Sequence, residues 1–598
     1  MTPADTTPDP IAPIAPTSVG GAPVTAPSAA PWWHTSTVYQ VYPRSFQDSD
    51  GDGIGDIPGI TSRVPYLQRL GVDVVWLSPV YRSPMEDNGY DISDYDDVDP
   101  LFGTLADLDD LIAALHERGM RLVMDLVVNH TSSRHDWFQQ SRDPHSPLHD
   151  WYIWRDGRSG GPTHPDAAPG EWRGDEPNHW AGAFSGPVWT WDEEAGQYYL
   201  HLFTPGQPDL NWDNPQVRAE VFAMMRRWLD RGVDGFRMDV INLISKDPSD
   251  FFADDTDGGL HRVMFGPHFH DYIQEMRREV FDAYPDRVFL TVGETPGATV
   301  EQARLTTDPA RRELDMVFQF EHMGLDSTDG QKYHHRALHL PDMKANLARW
   351  SLALAGHGWN SLYLSNHDQP RPVSRYGDAE HHRHASATAW AAMLHAHPGT
   401  PYVFEGEELG MANFPWSSTD QMDDVEALGY WRDRVVLGGS APSEVWPSLC
   451  AMTRDNARTP MQWDATGTAG FTTGTPWLPV NPDHERVNAA DQVGRGGSTF
   501  EFFRRMISLR RTLPVLVDGD FRLLEPDDTT LWWVVRSTPD GRVLDAVGNM
   551  SSEPIACAIP DGHVVLSNRE APASGVWERA VLAPWEVRWV LHRQGARE

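Results

Sequence analysis

The sequence is poor in cysteine and lysine and has no long apolar run. Its two cysteines, Cys450 and Cys557, lie far apart, which argues against a disulfide framework and excludes a cysteine-based zinc site. No stretch of the sequence is apolar enough to cross a bilayer as a helix. The three lysines are Lys246, Lys332 and Lys344, so almost all positive charge is arginine; we interpret this scarcity as codon bias rather than mechanism.

Positive charge is scarce overall. The sequence has 49 lysines and arginines against 86 aspartates and glutamates, and its formal net charge is -37. Because this charge repels phosphate backbones and anionic headgroups, we expect neither nucleic acid nor a membrane as a partner. The few cysteines favour a cytoplasmic location. Residues 1–31 are rich in Pro, Ala and Thr and lack the features of a signal peptide, so they are predicted to be a disordered leader.

From Trp32 onward, short β-branched apolar runs alternate with longer amphipathic segments, which is typical of parallel strands linked by helices. Eight such units predict an α/β fold, a closed (β/α)8 TIM barrel. The predicted strands are 38–46, 72–80, 121–130, 232–240, 287–294, 316–322, 360–368 and 400–408.

Two segments depart from this alternation. Residues 131–205 are rich in Trp, His, Gly and Pro and lack a helical period, which predicts a subdomain inserted after strand 3. Short alternating stretches toward the end predict a C-terminal all-β domain, a β-sandwich, over 512–598. The catalytic barrel would then span 32–130 and 206–511.

Three motifs end apolar runs with an acid: GFRMD at 235–239, VGE at 292–294 and SNHD at 365–368. Barrel enzymes build their sites at the carboxyl ends of several strands, so these acids, Asp239, Glu294 and Asp368, are predicted to meet there.

Two of these acids have the chemistry of a catalytic pair. Arg237 lies on the same strand face as Asp239 and is expected to keep it ionised, as a carboxylate nucleophile requires. Glu294 ends an apolar strand, where desolvation would raise its pKa and suit it to be a general acid. A retaining glycosidase needs two such carboxyl groups about 5–5.5 Å apart. Taken singly, the first motif could be a surface ion pair and the second a helix N-terminus; their coincidence favours catalysis.

Polar residues beside the acids are candidates for sugar binding. Asp368 is assigned to transition-state support as the sugar flattens toward an oxocarbenium ion. His130 and His367 are placed to hydrogen-bond hydroxyl groups, although a lone buried histidine is more often part of the core. Asp87 and Tyr90 follow strand 2 and would add a hydroxyl contact and a stacking platform. The alternative for Tyr90 is a packed aromatic residue.

A loop after strand 1 places carboxylates at Asp48, Asp50, Asp52 and Asp56, an oxygen-rich array that suits calcium or magnesium. The loop begins like an EF-hand, but its twelfth position is Gly59 instead of a bidentate glutamate. We predict a structural Ca2+ site, with Mg2+ as the alternative ion and a solvated acidic turn as the alternative without an ion. No organic cofactor and no catalytic metal are expected, because the carboxylate pair suffices for the chemistry.

Taken together, the motifs resemble the α-amylase superfamily (glycoside hydrolase family 13), and within it the oligo-1,6-glucosidase and α-glucosidase branch. The resemblance runs from about Trp32 to the C-terminus. The segments that carry it are QPDLN at 207–211, GFRMDVIN at 235–242, FQFEH at 318–322, NHDQP at 366–370 and RDNARTPMQW at 454–463.

The resemblance implies a role for each matched residue. It implies Asp239 as the nucleophile, Glu294 as the acid/base and Asp368 as the transition-state stabiliser. The implied subsite for the non-reducing glucose consists of Asp87, Tyr90, His130, Phe184, Arg237, His367 and Arg458. The implied metal ligands are Asp48, Asp50, Asp52, Asp56 and the carbonyl of Ile54.

Three positions bear on specificity. Val240 follows the nucleophile, and relatives with valine there tend to cleave α-1,6 bonds, whereas Ala, Gly or Thr accompanies α-1,4 preference. Sucrose isomerases of this branch carry Arg-Leu-Asp-Arg-Asp where this chain has GLDST at 324–328, so hydrolysis is favoured over isomerisation. Glu405 stands where relatives usually have Gln, and its added charge near the barrel mouth is expected to alter subsite affinity or the pH optimum.

The leading hypothesis is a retaining exo-α-glucosidase. It would hydrolyse terminal non-reducing α-linked glucose from short oligosaccharides, with α-1,6 bonds of the isomaltose type preferred, as a monomer or small homo-oligomer. The alternatives are an α-1,4-preferring α-glucosidase, a sucrose- or trehalose-type transglycosylase or isomerase, and a barrel that binds sugar without turnover. Relatives of the last kind have lost the catalytic carboxylates, which this chain retains.

Overall fold

The computed structural model describes residues 31–164, 166–167, 171–184, 186–247, 259–569 and 580–594. The predicted leader, apart from Pro31, lies outside these residues. Within the described ranges, no helix has the length and apolar character needed to cross a membrane.

The secondary structure alternates between strands and helices through most of the chain. The strands, in chain order, are β1 (Val38–Val41), β2 (Val74–Leu77), β3 (Tyr81–Arg82), β4 (Asp94–Val98), β5 (Arg121–Val127), β6 (Trp154–Arg155), β7 (Trp189–Asp192), β8 (Gln197–Leu200), β9 (Gly235–Asp239), β10 (Leu290–Glu294), β11 (Met316–Phe318), β12 (Ser361–Leu362), β13 (Thr400–Phe404), β14 (Asp520–Leu524), β15 (Leu531–Ser537), β16 (Arg542–Asn549), β17 (Ile555–Cys557), β18 (His563–Ser567), β19 (Ala580–Leu582) and β20 (Val587–Arg593). The α-helices are α1 (Pro43–Phe46), α2 (Ile57–Leu70), α3 (Leu105–His116), α4 (Asp136–Ser141), α5 (Pro215–Arg231), α6 (Phe269–Glu279), α7 (Val300–Thr307), α8 (Leu340–Leu354), α9 (Pro372–Arg375), α10 (Arg383–His395), α11 (Val425–Trp431), α12 (Pro442–Met452), α13 (Asp455–Arg458), α14 (Ala489–Gln492), α15 (Thr499–Thr512) and α16 (Val515–Asp518).

Eight parallel strands form the barrel in the order β11–β10–β9–β5–β2–β1–β13–β12. A parallel bridge between Val317 of β11 and Asn360, just before β12, closes the two ends of this order. Each of these strands lies inside one predicted strand, so the predicted (β/α)8 barrel is confirmed. Most predicted segments extend past the observed strand ends, because the residues that follow turn into the mouth of the barrel.

Aromatic side chains fill the barrel between its strands. Trp33, Trp76, Phe318, Tyr363 and Tyr402 belong to one buried cluster. The ring centroid of Phe318 lies 5.6 Å from that of Trp76 and 4.6 Å from that of Tyr402. The interior is therefore a packed core rather than a pore, and it supports the strand ends that form the mouth.

The helices that follow the strands begin at residues that satisfy free backbone N–H groups. The Asp56 side chain accepts from the backbone N–H of Gly59 at the start of α2. Thr104 and Asp107 form a reciprocal capping box at the start of α3. On α2 the buried apolar residues recur every three or four positions and form the face toward the core; they include Ile57, Ile60, Val64 and Leu67.

A three-stranded antiparallel sheet, in the order β6–β8–β7, forms between the third and fourth barrel strands. The buried apolar cluster at this junction includes Trp180, Trp189 and Val240, the residue that follows β9. A buried ion pair joins the same regions, with 3.0 Å between Nζ of Lys246 and Oδ2 of Asp209. The insertion predicted after strand 3 is present.

The last part of the chain is antiparallel. One sheet has the order β14–β15–β16–β20–β18, and β17 pairs with β19. This arrangement confirms the predicted all-β domain. Lys344 of α8 connects the barrel to it, because its Nζ donates hydrogen bonds to the carbonyls of Glu525, Asp528 and Leu531 at 2.7, 2.6 and 2.9 Å.

Each of the three lysines has a defined set of partners. Lys344 is completely buried. Lys246 donates to Oδ1 of Asn129 at 2.9 Å in addition to its ion pair. Lys332 pairs with Glu426 at 2.5 Å. Lysine is rare in this chain, but each position is structural.

Replacing Lys344 by methionine should lower the free energy of unfolding by about 3 kcal/mol, because three carbonyls, at Glu525, Asp528 and the buried Leu531, would lose a charged donor. Arg349 on the same helix is a suitable control. Its side chain is half exposed and paired with Glu321, so Arg349→Met should cost less than about 1 kcal/mol. Denaturant titration followed by tryptophan fluorescence measures both. Equal losses in the two variants would contradict the role assigned to Lys344.

Candidate active site

Two of the predicted acids end neighbouring barrel strands. Asp239 is the last residue of β9, and Glu294 is the last residue of β10. In the parallel register Gly293 lies opposite Met238, so the two carboxyl groups emerge side by side at the mouth. Asp368 lies in the loop after β12.

The guanidinium of Arg237 holds three carboxylates together. Its Nη1 is 2.7 Å from Oδ1 of both Asp125 and Asp239, and its Nη2 is 2.6 Å from Oε2 of Glu294. Arg237 is only 1% exposed, so these contacts are shielded from water. The predicted pairing of Arg237 with Asp239 is therefore present, with two further partners that the motif did not indicate.

Opposing influences set the pKa of Asp239. Burial raises the pKa of Asp239 well above its usual range; Arg237 acts against this shift, while Glu294 and Asp125 reinforce it. Arg237 therefore favours the ionised form of Asp239, as the sequence predicts, but its effect on the pKa is smaller than that of burial. A side-chain hydrogen bond between Asp239 and Glu294 also raises the pKa of Asp239. Such a pair provides both an acid and a nucleophile.

Asp368 is surrounded by positive and hydrogen-bonding groups. Its Oδ1 is 2.7 Å from Arg458 Nη2 and 3.5 Å from Arg454 Nη1, and its Oδ2 is 3.2 Å from His367 Nε2. Burial alone would raise the pKa of Asp368, but His367, Arg454 and Arg458 outweigh it and hold the pKa well below its usual range. Because burial lowers the pKa of His367 to about 3, its ring is neutral near pH 7 and the arginines supply the charge.

Asp125 is a buried acid that sequence reasoning missed. Its Oδ2 accepts hydrogen bonds from Nε1 of Trp76 and the hydroxyl of Tyr90, both at 3.0 Å. The Tyr90 ring in turn stacks on His367, with 4.9 Å between centroids and an interplanar angle of 4°. Tyr90 therefore borders the predicted site and is also packed, being 6% exposed. Asp125 lies within its strand and not at the strand end, so the search for acids at strand ends did not identify it.

Asp87 and His130 both contact Gln207 at the mouth. Gln207 Nε2 donates to Oδ2 of Asp87 at 3.1 Å and lies 3.2 Å from Nε2 of His130. His130 Nε2 also lies 3.0 Å from the carbonyl of Tyr90, a geometry in which this nitrogen carries the proton and donates it. Burial raises the pKa of Asp87, with Arg454 as the largest opposing influence.

Arg454 is absent from the predicted site residues, yet it joins several of them. Its Nη2 is 3.3 Å from Oδ1 of Asp87, and its Nε is 2.6 Å from Oδ1 of Asp424. Its guanidinium carbon is 4.8 Å from the ring centroid of Phe184 in the inserted subdomain. Arg454 and Arg458 both belong to the RDNARTPMQW segment that the sequence analysis identified. The sequence alone did not indicate that Arg454 contacts more residues of the site than Arg458 does.

Val240 adopts a backbone conformation that is rare for a β-branched residue. Its φ and ψ are 35° and 40°, in the left-handed region. Its N–H donates to Oε2 of Glu294 at 3.1 Å, and its side chain packs in the cluster with Trp180 of the inserted subdomain. Val240 thus connects the catalytic strands to the subdomain, and packing compensates its backbone strain.

Glu405 does not add a charge at the mouth. Its side chain is completely buried, and its Oε2 accepts the backbone N–H of Tyr42 at 2.7 Å. Burial raises its pKa well above its usual range. The expected extra charge near the subsites is not supported, because the side chain after β13 is buried inside the protein, where burial favours its neutral form.

The acidic loop brings together three of its four aspartates. Ligand oxygens of Asp48, Asp50 and Asp56 lie within 4.8 Å of one another, whereas Asp52 stands outside this group. Asp52 Oδ1 accepts the backbone N–H of Ile54 at 2.8 Å. Burial and its three acidic neighbours raise the pKa of Asp52. Three converging carboxylates fit a hard divalent cation, which would relieve their mutual repulsion.

Comparison with known proteins shows the family. Residues 40–519 match the alpha amylase catalytic domain. An oligo-1,6-glucosidase of Parageobacillus thermoglucosidasius is 47% identical over 570 residues, which cover 93% of this chain and 98% of that protein. A glucan 1,6-alpha-glucosidase of Streptococcus pneumoniae is 44% identical over 560 residues, with the same two coverages of 93% and 98%.

Solved structures agree with these matches. Trehalulose synthase of Pseudomonas mesoacidophila superposes with a TM-score of 0.88 at 40% identity and covers 94% of this chain and 100% of that one. A mutant trehalose-6-phosphate hydrolase of Bacillus licheniformis gives a TM-score of 0.87 at 39% identity, with coverages of 94% and 100%. Because the catalytic-domain match covers most of the sequence and the relatives align along nearly their whole length, the chain belongs to the α-amylase family.

Proposed function

We propose that this protein is a retaining exo-α-glucosidase that releases glucose from the non-reducing ends of short α-linked oligosaccharides, with α-1,6 bonds preferred. The observation that carries this proposal is the pairing of Asp239 and Glu294 on the single guanidinium of Arg237. The two named relatives, an oligo-1,6-glucosidase and a glucan 1,6-alpha-glucosidase, support the substrate class.

The first chemical step breaks the glycosidic bond. Glu294 donates its proton to the glycosidic oxygen, and the carboxylate of Asp239 attacks the anomeric carbon, so that a covalent glycosyl-enzyme forms and the aglycone leaves as an alcohol. For this step the proton must reside on Glu294 and the negative charge on Asp239. Positive charge that develops on the sugar beside Asp239 favours this distribution, because it stabilises the Asp239 anion.

The second step releases glucose. Glu294, now a carboxylate, takes a proton from a water molecule, and the resulting oxygen attacks the anomeric carbon while the bond to Asp239 breaks. Two inversions leave the product in the α configuration. Asp368, which its arginine neighbours keep ionised, hydrogen-bonds ring hydroxyls and stabilises the positive sugar of both transition states.

The remaining residues would bind the terminal glucose. We assign hydroxyl contacts to Asp87, His130 and His367, with Tyr90 as the aromatic wall. The assigned subsite also includes Phe184 across the mouth and the arginines Arg237, Arg454 and Arg458. All three acids are present and close to these groups, which disfavours a barrel that binds sugar without turnover.

Two further features of the proposed activity are the preferred linkage and whether water or a second sugar takes the glucosyl group from the covalent intermediate. Val240 supports α-1,6 specificity through its position directly after the nucleophile, with an α-1,4 preference as the alternative. A second candidate function is transfer or isomerisation, which the similarity to a trehalulose synthase favours. The GLDST segment at 324–328 supports hydrolysis instead, because it lacks the charged residues of the isomerase loop.

We also propose a structural Ca2+ at Asp48, Asp50 and Asp56, with Mg2+ as the alternative ion. The ion would stabilise the loop and take no part in the reaction. Our proposed domain boundaries remain 32–130 with 206–511 for the barrel, 131–205 for the inserted subdomain and 512–598 for the C-terminal domain. A cytoplasmic location, supported by the two free cysteines, and a monomer or small homo-oligomer complete the proposal.

The proposed activity predicts a ranking of substrates. Isomaltose should give a higher kcat/KM than maltose, sucrose or trehalose, and proton NMR should detect α-glucose as the first product. Asp239→Ala should lower kcat by at least about a thousandfold while leaving the fold intact, because the covalent step is lost.

Three results would decide against parts of this proposal. A higher kcat/KM on maltose would reject the role of Val240 in linkage preference. Disaccharide isomers in excess of glucose would favour the transfer reaction. Retained activity in folded Asp239→Ala would remove this residue from the mechanism.

Activity should fall at low pH because protonation of Asp239 removes the nucleophilic carboxylate. Since the pKa of Asp239 is raised, this protonation should produce the acid limb of the kcat/KM profile. Asp125→Asn removes a negative neighbour that raises this pKa. The pKa of Asp239 should then fall, and the acid limb should move down by about one pH unit. Asp315→Asn changes a half-buried acid that precedes β11, away from the mouth, and should leave the limb in place. An upward or absent shift in Asp125→Asn would contradict the assignment.

Calcium should stabilise the protein. At about a hundred times its Kd, the ion should raise the free energy of unfolding by about 2.7 kcal/mol, measured as a rise in Tm that a chelator reverses. Asp50→Asn removes a carboxylate of the converging group and should abolish this gain. Asp52→Asn is the matched control and should retain most of it. A Tm indifferent to Ca2+ and Mg2+ would support the solvated acidic turn.

A further inference from the structure

Arg44 lies on the short helix α1, between the first barrel strand and the acidic loop. Its guanidinium carbon is 3.9 Å from the ring centroid of Trp477. Its Nη1 donates a hydrogen bond to Oδ1 of Asn88. The same nitrogen is 3.8 Å from Oδ2 of Asp423. The Arg44 side chain is largely buried, so water screens these contacts weakly.

Asn88 belongs to the turn that presents Asp87 and Tyr90 to the mouth. Its φ of 52° lies in the left-handed region, and its side chain is buried. Asparagine tolerates this conformation better than most residues, but the backbone still needs an external contact to hold it there. The hydrogen bond from Arg44 supplies that contact in the middle of the turn.

The other side of Arg44 is fixed by the acidic loop. Its carbonyl accepts the N–H of Gly55 at 2.8 Å, and the N–H of Trp477 donates to the carbonyl of Gly53 at 3.0 Å. Trp477 also donates from Nε1 to Oγ of Ser45 at 3.2 Å. Both the backbone of Arg44 and the ring beneath its guanidinium are therefore held in place, which gives Arg44 a fixed position from which to hold Asn88.

We propose that Arg44 is a positioning residue for glucose recognition, which acts through Asn88 to fix the carboxylate of Asp87 where it binds sugar hydroxyls. The inference rests on the proposed function, because it takes Asp87 as a ligand of the non-reducing glucose. Arg44 itself does not touch the sugar. In this role the contact between Asp87 and the sugar contributes equally to ground state and transition state, which is uniform binding.

This role predicts a change in KM without a matching change in kcat. Arg44→Met and Asn88→Ala should each raise KM for isomaltose about tenfold, the usual scale of a lost charge-assisted hydrogen bond, and change kcat less than about twofold. The double variant should resemble either single variant, because both remove the same contact. Arg44→Lys keeps the charge and should fall between Arg44→Met and the wild type.

Arg63 provides the matched control. Its guanidinium carbon lies 4.0 Å from the ring centroid of Trp463, and its Nε donates to Gln47 at 2.7 Å, so it copies the packing of Arg44 without the link to Asn88. Arg63→Met should have the KM of the wild type. An unchanged KM in Arg44→Met, an equal rise in Arg63→Met, or additive effects in the double variant would overturn the inference.

A second measurement separates this inference from the proposed function. Calorimetric titration with glucose, the expected product, reports on the subsite without turnover, and its Kd should rise by the same factor as KM in Arg44→Met and Asn88→Ala. A wild-type protein that binds glucose but cleaves neither isomaltose nor maltose would reject the proposed activity alone. Unchanged glucose affinity in Arg44→Met would reject the role of Arg44 alone.

Discussion

The buried guanidinium of Arg237 is the interaction on which the catalytic mouth depends. Three carboxylates from three consecutive strands of the sheet order, at Asp125, Asp239 and Glu294, converge on it. Without this cation, three neighbouring carboxylates of like charge could not remain buried together. With it, the site still carries more negative than positive charge, and this surplus adds to the effect of burial in raising the pKa of Asp239. The same arrangement therefore supports both the fold and the chemistry of the mouth.

A second electrostatic arrangement with the opposite balance surrounds Asp368. Here two arginines, Arg454 and Arg458, face one carboxylate that must remain ionised. The mouth thus contains one carboxyl group, Asp239, whose pKa is raised and another, Asp368, whose pKa is held low. Because the two environments differ in burial and in the ratio of guanidinium to carboxylate groups, chemically identical side chains acquire different roles.

Features that depend on residues close together in the sequence were predicted, whereas features that depend on residues far apart in the sequence were not. The barrel strands were predictable because alternation of short apolar runs with amphipathic ones is a local pattern. Asp239 and Glu294 were predictable because an acidic residue at the end of an apolar strand rarely serves packing alone. Asp125 escaped because its partner Arg237 lies more than a hundred residues away, and Glu405 was misplaced because the direction of its side chain depends on how β13 and β1 pack. The convergence of loop residues such as Arg454 depends on tertiary structure that no local pattern contains.

The placement of the lysines has a practical consequence for chemical coupling. Lys246 and Lys344 are buried, so their amines are inaccessible to acylating reagents in the folded protein. Lys332 keeps 23% of its side chain exposed beside Glu426, and its charge contributes to the low pKa of Asp368. Among the side-chain amines of this protein, attachment to an amine-reactive support would therefore select Lys332, and would tether the protein through the edge of its own mouth.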